Sequence, residues 1–298
     1  MKIKSGYRIF SYLYPNPPTM FRIVTFSLLI SFISSCAFKS VIRTKDLTYT
    51  DASTAFAPKR LDVYAPKKAD NLPVMVFFYG GSWKSGDKKI YPFLGNRLSR
   101  RGVVMVIANY PLSPEFEVTS MQEAAFQAVN WTKEHIEEFG GNPDRIFVSG
   151  HSAGGHLASL IAVKEQDLAP SSNDKKLAGS ILLDPAGMDM YGYLEKTAKG
   201  EGAKYLQAFT DDPAIWKEYS TAYFLTTQVA PMLILEGGRT YPSIRAGRQE
   251  FMKRVEEKAI ENVTLKIYPK NKHIPMITQF LWTPGKVYKD VLGFIEEN

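Results

Sequence analysis

The most constraining feature of this 298-residue chain is the pentapeptide Gly150-His151-Ser152-Ala153-Gly154. It follows Arg145 to Val148, which reads as a strand, and it leads into Ala153 to Val163, which reads as a helix. A strand that becomes a helix within so few residues turns sharply. Its central residue must take a strained backbone conformation, and side chains at the flanking positions would strike the strand and the helix. Such a turn belongs to a mostly parallel sheet covered by helices. Six further runs fit as strands: Leu61 to Tyr64, Val74 to Phe78, Val103 to Ala108, Ser180 to Leu183, Met232 to Leu235 and Val263 to Ile267. The clearest helix starts at a capping box, Ser120-Met-Gln-Glu123. It carries Met121, Ala125, Ala128, Val129, Thr132, Ile136 and Phe139 at helical spacing and ends at Gly140-Gly141.

Between the strands at 180–183 and 232–235 the chain makes a long irregular excursion, 186–225, rich in Tyr, Phe and charge. A plain crossover needs far fewer residues, so this segment is expected to act as a lid-like insertion over a site. No internal repeat or low-complexity tract interrupts the pattern. With 45% hydrophobic and 22% charged residues and one cysteine, the chain cannot be a disordered, collagen-like or disulfide-stapled protein. The net charge of +7 falls to +3 once the first 35 residues are set aside, which argues against a nucleic-acid partner.

Those first 35 residues read as a targeting segment. Ile23 to Ile33 is an apolar run of signal-core length, too short to span a membrane. Ile33-Ser34-Ser35-Cys36 follows it and resembles the bacterial lipobox, in which small residues precede a cysteine that is lipidated and becomes the new N-terminus. The sole cysteine of the chain stands there. The expectation is a lipoprotein signal over 1–35, a linker over 36–57 and one catalytic-type domain over 58–298. Either Met1 or Met20 serves as the start, Arg22 then supplying the basic flank. Ala37 after the cysteine fits delivery of an exported lipoprotein to an outer membrane or cell surface.

Gly150-His151-Ser152-Ala153-Gly154 between strand and helix matches G-x-S-x-G in the context that motif requires, with Ser152 as a candidate nucleophile at the positive end of a helix. Other segments join it: Tyr79-Gly80-Gly81-Ser82-Trp83 after a strand, Asn109-Tyr110-Pro111-Leu112-Ser113-Pro114-Glu115, Phe139-Gly140-Gly141-Asn142-Pro143-Asp144-Arg145, and Gly155 behind the serine turn. In this order over roughly 58–296 the sequence resembles the α/β-hydrolase fold, within its hormone-sensitive-lipase, carboxylesterase and arylformamidase group. The resemblance implies an oxyanion hole of backbone N–H groups at Gly80, Gly81 and Ala153, where a β-carbon would block close approach. Tyr79 stands where that group usually has a histidine, commonly a structural one. Trp83 is expected to pack beneath the loop.

Four histidines compete for the role of general base. His135 lies on the polar side of a helix, His151 is expected to be turned away by the bend, and His156 is one turn into the next helix. His273 follows the last strand in the polar segment Pro269-Lys-Asn-Lys-His273, where the resemblance places the base, and an imidazole suits proton exchange at neutral pH. The acid is open. The family position falls on Thr240, three residues after Gly237, and a threonine cannot stabilise an imidazolium. Asp184, in Leu183-Asp184-Pro185-Ala186, can serve from the preceding strand as in pancreatic-type lipases. Glu236 and Asp189 are alternatives, and so is the absence of any acid.

The resemblance implies a serine esterase for short acyl, acetyl or feruloyl esters, its substrate a small molecule or a glycan-linked ester. The rival expectations are a catalytically impaired binding protein and an aryl formamidase-type amide hydrolase. No cofactor is expected, and no cysteine or histidine cluster suits zinc.

Overall fold

The computed structural model describes residues 40–50, 52–56, 58–165, 176–282 and 285–298. The expected signal segment and Cys36 lie outside the described residues. Eight strands form one sheet: β1 (Val41–Thr48), β2 (Arg60–Pro66), β3 (Leu72–Phe78), β4 (Val104–Ala108), β5 (Gly141–His151), β6 (Gly179–Leu183), β7 (Met232–Arg239) and β8 (Val263–Lys272). Their order is β1-β2-β4-β3-β5-β6-β7-β8. β1 and β2 run antiparallel to their neighbours, and every pairing from β4 to β8 is parallel. This is the α/β-hydrolase architecture that the sequence implied.

The central strands explain why the sheet was readable. β4 and β6 are buried at every position, as strands covered by helices on both faces must be, so they read as runs without a charge, with a single serine in β6. The edge strand β8 carries only one buried residue, Tyr268. Helices α1 (Pro92–Ser99), α2 (Val118–His135) and α3 (Ala153–Val163) cover the first half of the sheet. α4 (Met190–Thr197), α5 (Leu206–Phe209) and α6 (Pro213–Glu218) lie in the insertion, and α7 (Pro242–Glu257), α8 (Pro275–Thr278) and α9 (Lys286–Glu297) complete the chain.

The structure corrects three details. α2 begins at Val118 after Glu117, with no side-chain cap, so Ser120 lies inside its first turn. Val118 and Met121 are both fully buried, and that burial favours extending the helix backward past the capping box. β8 runs on to Lys272, five residues beyond the expected end, across a register irregularity that lets Arg239 face Lys272. The third correction is β1, which occupies the segment expected to be a linker. Its charges are part of the fold: Arg43 Nη2 bonds to Asp62 Oδ2 at 2.6 Å, while Lys88 Nζ reaches Asp62 Oδ1 at 2.5 Å and Asp46 Oδ1 at 2.6 Å. Asp62 is wholly buried. Burial pushes its carboxyl up, but Lys88, the Asp46 N–H and Arg43 together hold it below the usual carboxylate value.

Candidate active site

Ser152 sits between β5 and α3 with φ 55° and ψ −120°, a conformation costly for any residue but glycine. Its surroundings enforce it. A β-carbon on Gly150 would lie 2.2 Å from the Gly154 carbonyl oxygen, and one on Gly154 would lie 2.0 Å from that of Phe78. The Ser152 N–H donates to Leu183 O and its carbonyl accepts from Ala186 N, both at 3.1 Å, so the end of β6 clamps the turn from outside. Ser152 is 8% exposed, and that surface faces a cavity of about 350 Å³.

Gly80 and Gly81 line the same cavity. A β-carbon on Gly80 would come within 3.0 Å of Ser152 Cβ, and Gly81 holds φ 146° with Ser85 O at 1.9 Å from its would-be β-carbon. Ala153 opens α3, where the first N–H groups have no partner within the helix. Tyr79 is buried between the rings of Tyr110 and Tyr91 and accepts a bond from Tyr110 Oη at 2.8 Å through its carbonyl, so the residue in place of the usual histidine acts by packing. Trp83 is buried beneath the loop as expected, yet it also touches the cavity, and its indole Nε1 donates to His156 Nδ1 at 3.2 Å.

His273 and Asp184 meet at the far side of the serine. Asp184 directly follows β6 with φ 48° and is completely buried. Its Oδ1 accepts from the Gly237 N–H at 2.8 Å, and its Oδ2 accepts from the Thr240 hydroxyl and from His273 Nδ1, the latter at 2.5 Å. The other acids are engaged elsewhere. Glu236 is taken up by Arg248, which donates to both its oxygens at 2.9 Å. Asp189 caps α4 by accepting from Gly192 N at 2.9 Å.

Two histidines are held neutral by burial. His156, pushed down to about 4, accepts from Trp83 and donates through Nε2 to Tyr219 O at 2.7 Å. His151 is also pushed down to about 4, first by burial and then by His273. Its side chain is not turned away from the site, as the bend had implied. Its ring lies 4.5 Å from that of His273, and Nε2 donates to the His273 carbonyl at 3.1 Å. The sequence signal was adjacency to Ser152, but the direction of the ring depends on β8 returning beside β7. His135 lies apart, bonded to Glu138 at 3.0 Å.

The insertion forms one wall through Met190, Tyr193 and Tyr205, while Ile244 of α7 and Ile277 of α8 line the other side. Among the described residues no group of three or more His, Cys, Asp or Glu side chains is placed to hold a metal.

A family model described as BD-FAE matches residues 61–244, more than half of the chain and the whole stretch from β2 through the serine turn, Asp184 and Thr240. The chain belongs to the BD-FAE family. It is similar to arylacetamide deacetylase from Oryctolagus cuniculus, at 32% identity over 205 residues, which cover 65% of this chain and 49% of that protein. The chain spans between 22% and 49% of the length of the curated relatives it matches. Among solved structures this BD-FAE member resembles an inhibited esterase B from Lactobacillus rhamnosis, with a TM-score of 0.72 at 19% identity over 94% of this chain and 96% of that one. Propionate-bound esterase 2 from Thermogutta terrifontis gives a TM-score of 0.68 at 21% identity, covering 87% and 94%.

Proposed function

We propose that the protein is a serine esterase that cleaves carboxylic esters through an acyl-enzyme. Ser152 attacks the ester carbonyl while His273 takes its proton through Nε2, and Asp184 holds the Nδ1–H so that the correct tautomer faces the serine. The N–H groups of Gly80, Gly81 and Ala153 receive the oxyanion. His273 then returns the proton to the leaving alcohol, and water releases the acyl group by the same route. The observation that carries this reading is the Asp184 to His273 contact at 2.5 Å beside a cavity that also holds the strained Ser152. It weighs against an impaired relic, the case for which rested on Thr240.

The cavity of about 350 Å³ is at the small end of the range for small-molecule sites, which favours a short acyl group or one aromatic ring. Family membership and the propionate held by the structural neighbour support the same choice. Turnover of a p-nitrophenyl acetate-to-octanoate series tests the reading. Activity should fall with chain length, and Ser152→Ala should lose both turnover and covalent labelling by a fluorophosphonate. Labelling that survives in Ser152→Ala puts the nucleophile elsewhere.

We also propose, from sequence alone, that the chain is exported and lipid-anchored at Cys36, at an outer membrane or cell surface.

A further inference from the structure

The last two strands end in an arrangement that the fold does not require. Beyond the irregularity in β8, Arg239 stands in register opposite Lys272, and both are exposed. Like charges across a strand pair repel and cost stability. Two more exposed cations adjoin them. Lys270 lies in the irregular stretch itself, and Arg245 donates through Nη2 to the Gly238 carbonyl at 3.2 Å, which holds its guanidinium beside Arg239. The acids around them are committed: Glu236 to Arg248, Asp290 to Lys266, Asp184 to His273 and Asp189 to the start of α4. None of the four cations pairs with a carboxylate among the described residues.

The cluster adjoins the reacting groups along the chain. Arg239 precedes Thr240, which bonds Asp184, and Tyr241, which lines the cavity with its ring 5.0 Å from that of His273. Lys272 precedes His273 itself. In ester cleavage the imidazole gives its proton to the departing alcohol, so the alcohol portion must leave along His273. We infer that Arg239, Arg245, Lys270 and Lys272 form an anion-binding rim that selects esters whose alcohol portion carries a carboxylate. This rests on the esterase reading for the side on which the alcohol lies. The four side chains do not line the cavity, so they act on the substrate through their field around His273 rather than by a bidentate clamp.

The test compares 4-acetoxybenzoate with its methyl ester, which share an acetyl group and differ in one charge on the alcohol side. In Arg239→Gln/Lys272→Gln, kcat/KM should fall about tenfold more for the anionic ester than for the neutral one, the size expected of two cations several ångströms from a carboxylate in a largely aqueous setting. The loss should appear in KM, and about 0.5 M NaCl should reproduce it in the unaltered chain. Arg239→Lys/Lys272→Arg keeps both charges and should keep the preference. The Gln variant should unfold no more easily than the parent, because it relieves a repulsion. Equal losses on the two esters, or a preference that survives in the Gln variant, would overturn the proposal. Calorimetric binding of both esters to Ser152→Ala separates recognition from reaction: tighter binding of the anion supports the rim even if neither ester is hydrolysed, and equal affinities sink it.

Discussion

Thr240 gives its hydroxyl hydrogen to the same Asp184 oxygen that faces His273. Thr240, where the sequence resemblance would place the acid, thus supports the carboxylate that the proposed mechanism uses from the neighbouring strand. Asp184→Asn should therefore lower kcat by a factor on the order of 10⁴, since the geometry survives but the imidazolium loses its charged partner. Thr240→Asp added to Asp184→Asn should restore part of the rate, whereas Thr240→Asp alone should slow the enzyme by setting two carboxylates side by side. A neutral Asp184→Asn, measured by p-nitrophenyl acetate turnover, would contradict this assignment.

Glu236 should separate stability from catalysis. Its carboxylate is 1% exposed and bonds to Arg248 through both oxygens, so Glu236→Gln leaves a largely covered guanidinium without its counter-charge. A loss of about 3 kcal/mol in urea unfolding is expected, with kcat/KM changed less than about threefold. A collapse of kcat with stability intact would make Glu236 the acid.

Acid should weaken the fold before it reaches ordinary carboxylates. His151 and His156 take up protons at about 4 when folded, against about 6.5 in the unfolded chain. Below pH 6.5 the unfolded state binds protons that the folded state refuses, so stability falls as the pH drops from about 6.5 toward 4 and is complete above that window. Each histidine contributes on the order of 3 kcal/mol to the decline. Urea midpoints at pH 7, 6 and 5 measure it, and His151→Gln, which still donates to the His273 carbonyl, should flatten the slope.

The anchor proposal predicts that the full chain, expressed in a bacterium, partitions into detergent with a mass showing acylated Cys36, and that Cys36→Ser abolishes both. A mature N-terminus beyond Cys36 without lipid would refute it.

What the sequence disclosed follows the range of the forces involved. The serine turn was legible because its constraint is local: the glycines at 150 and 154 answer steric contacts within five residues and with one adjoining strand. The central runs of β3, β4, β6 and β7 were legible because burial on both faces leaves mostly apolar residues. β1 was not, since Arg43 and Asp46 read like parts of a solvated linker until Asp62 and Lys88 supply their partners. The choice among Asp184, Glu236 and Asp189 was open for a similar reason. Which carboxylate reaches His273 depends on the register of β6, β7 and β8 and on which face of β7 each side chain takes.

The direction of β1 has a mechanical outcome. Val41 pairs with Pro66 and Thr48 with Arg60, while Leu61 lies opposite Ala108 at the end of β4. Val41 therefore marks the rim of the sheet remote from Ser152, two strands out from β4. The described chain thus enters the sheet at the heel of the domain, and a tether fused directly ahead of Val41 would join it at the pole opposite the cavity that holds Ser152.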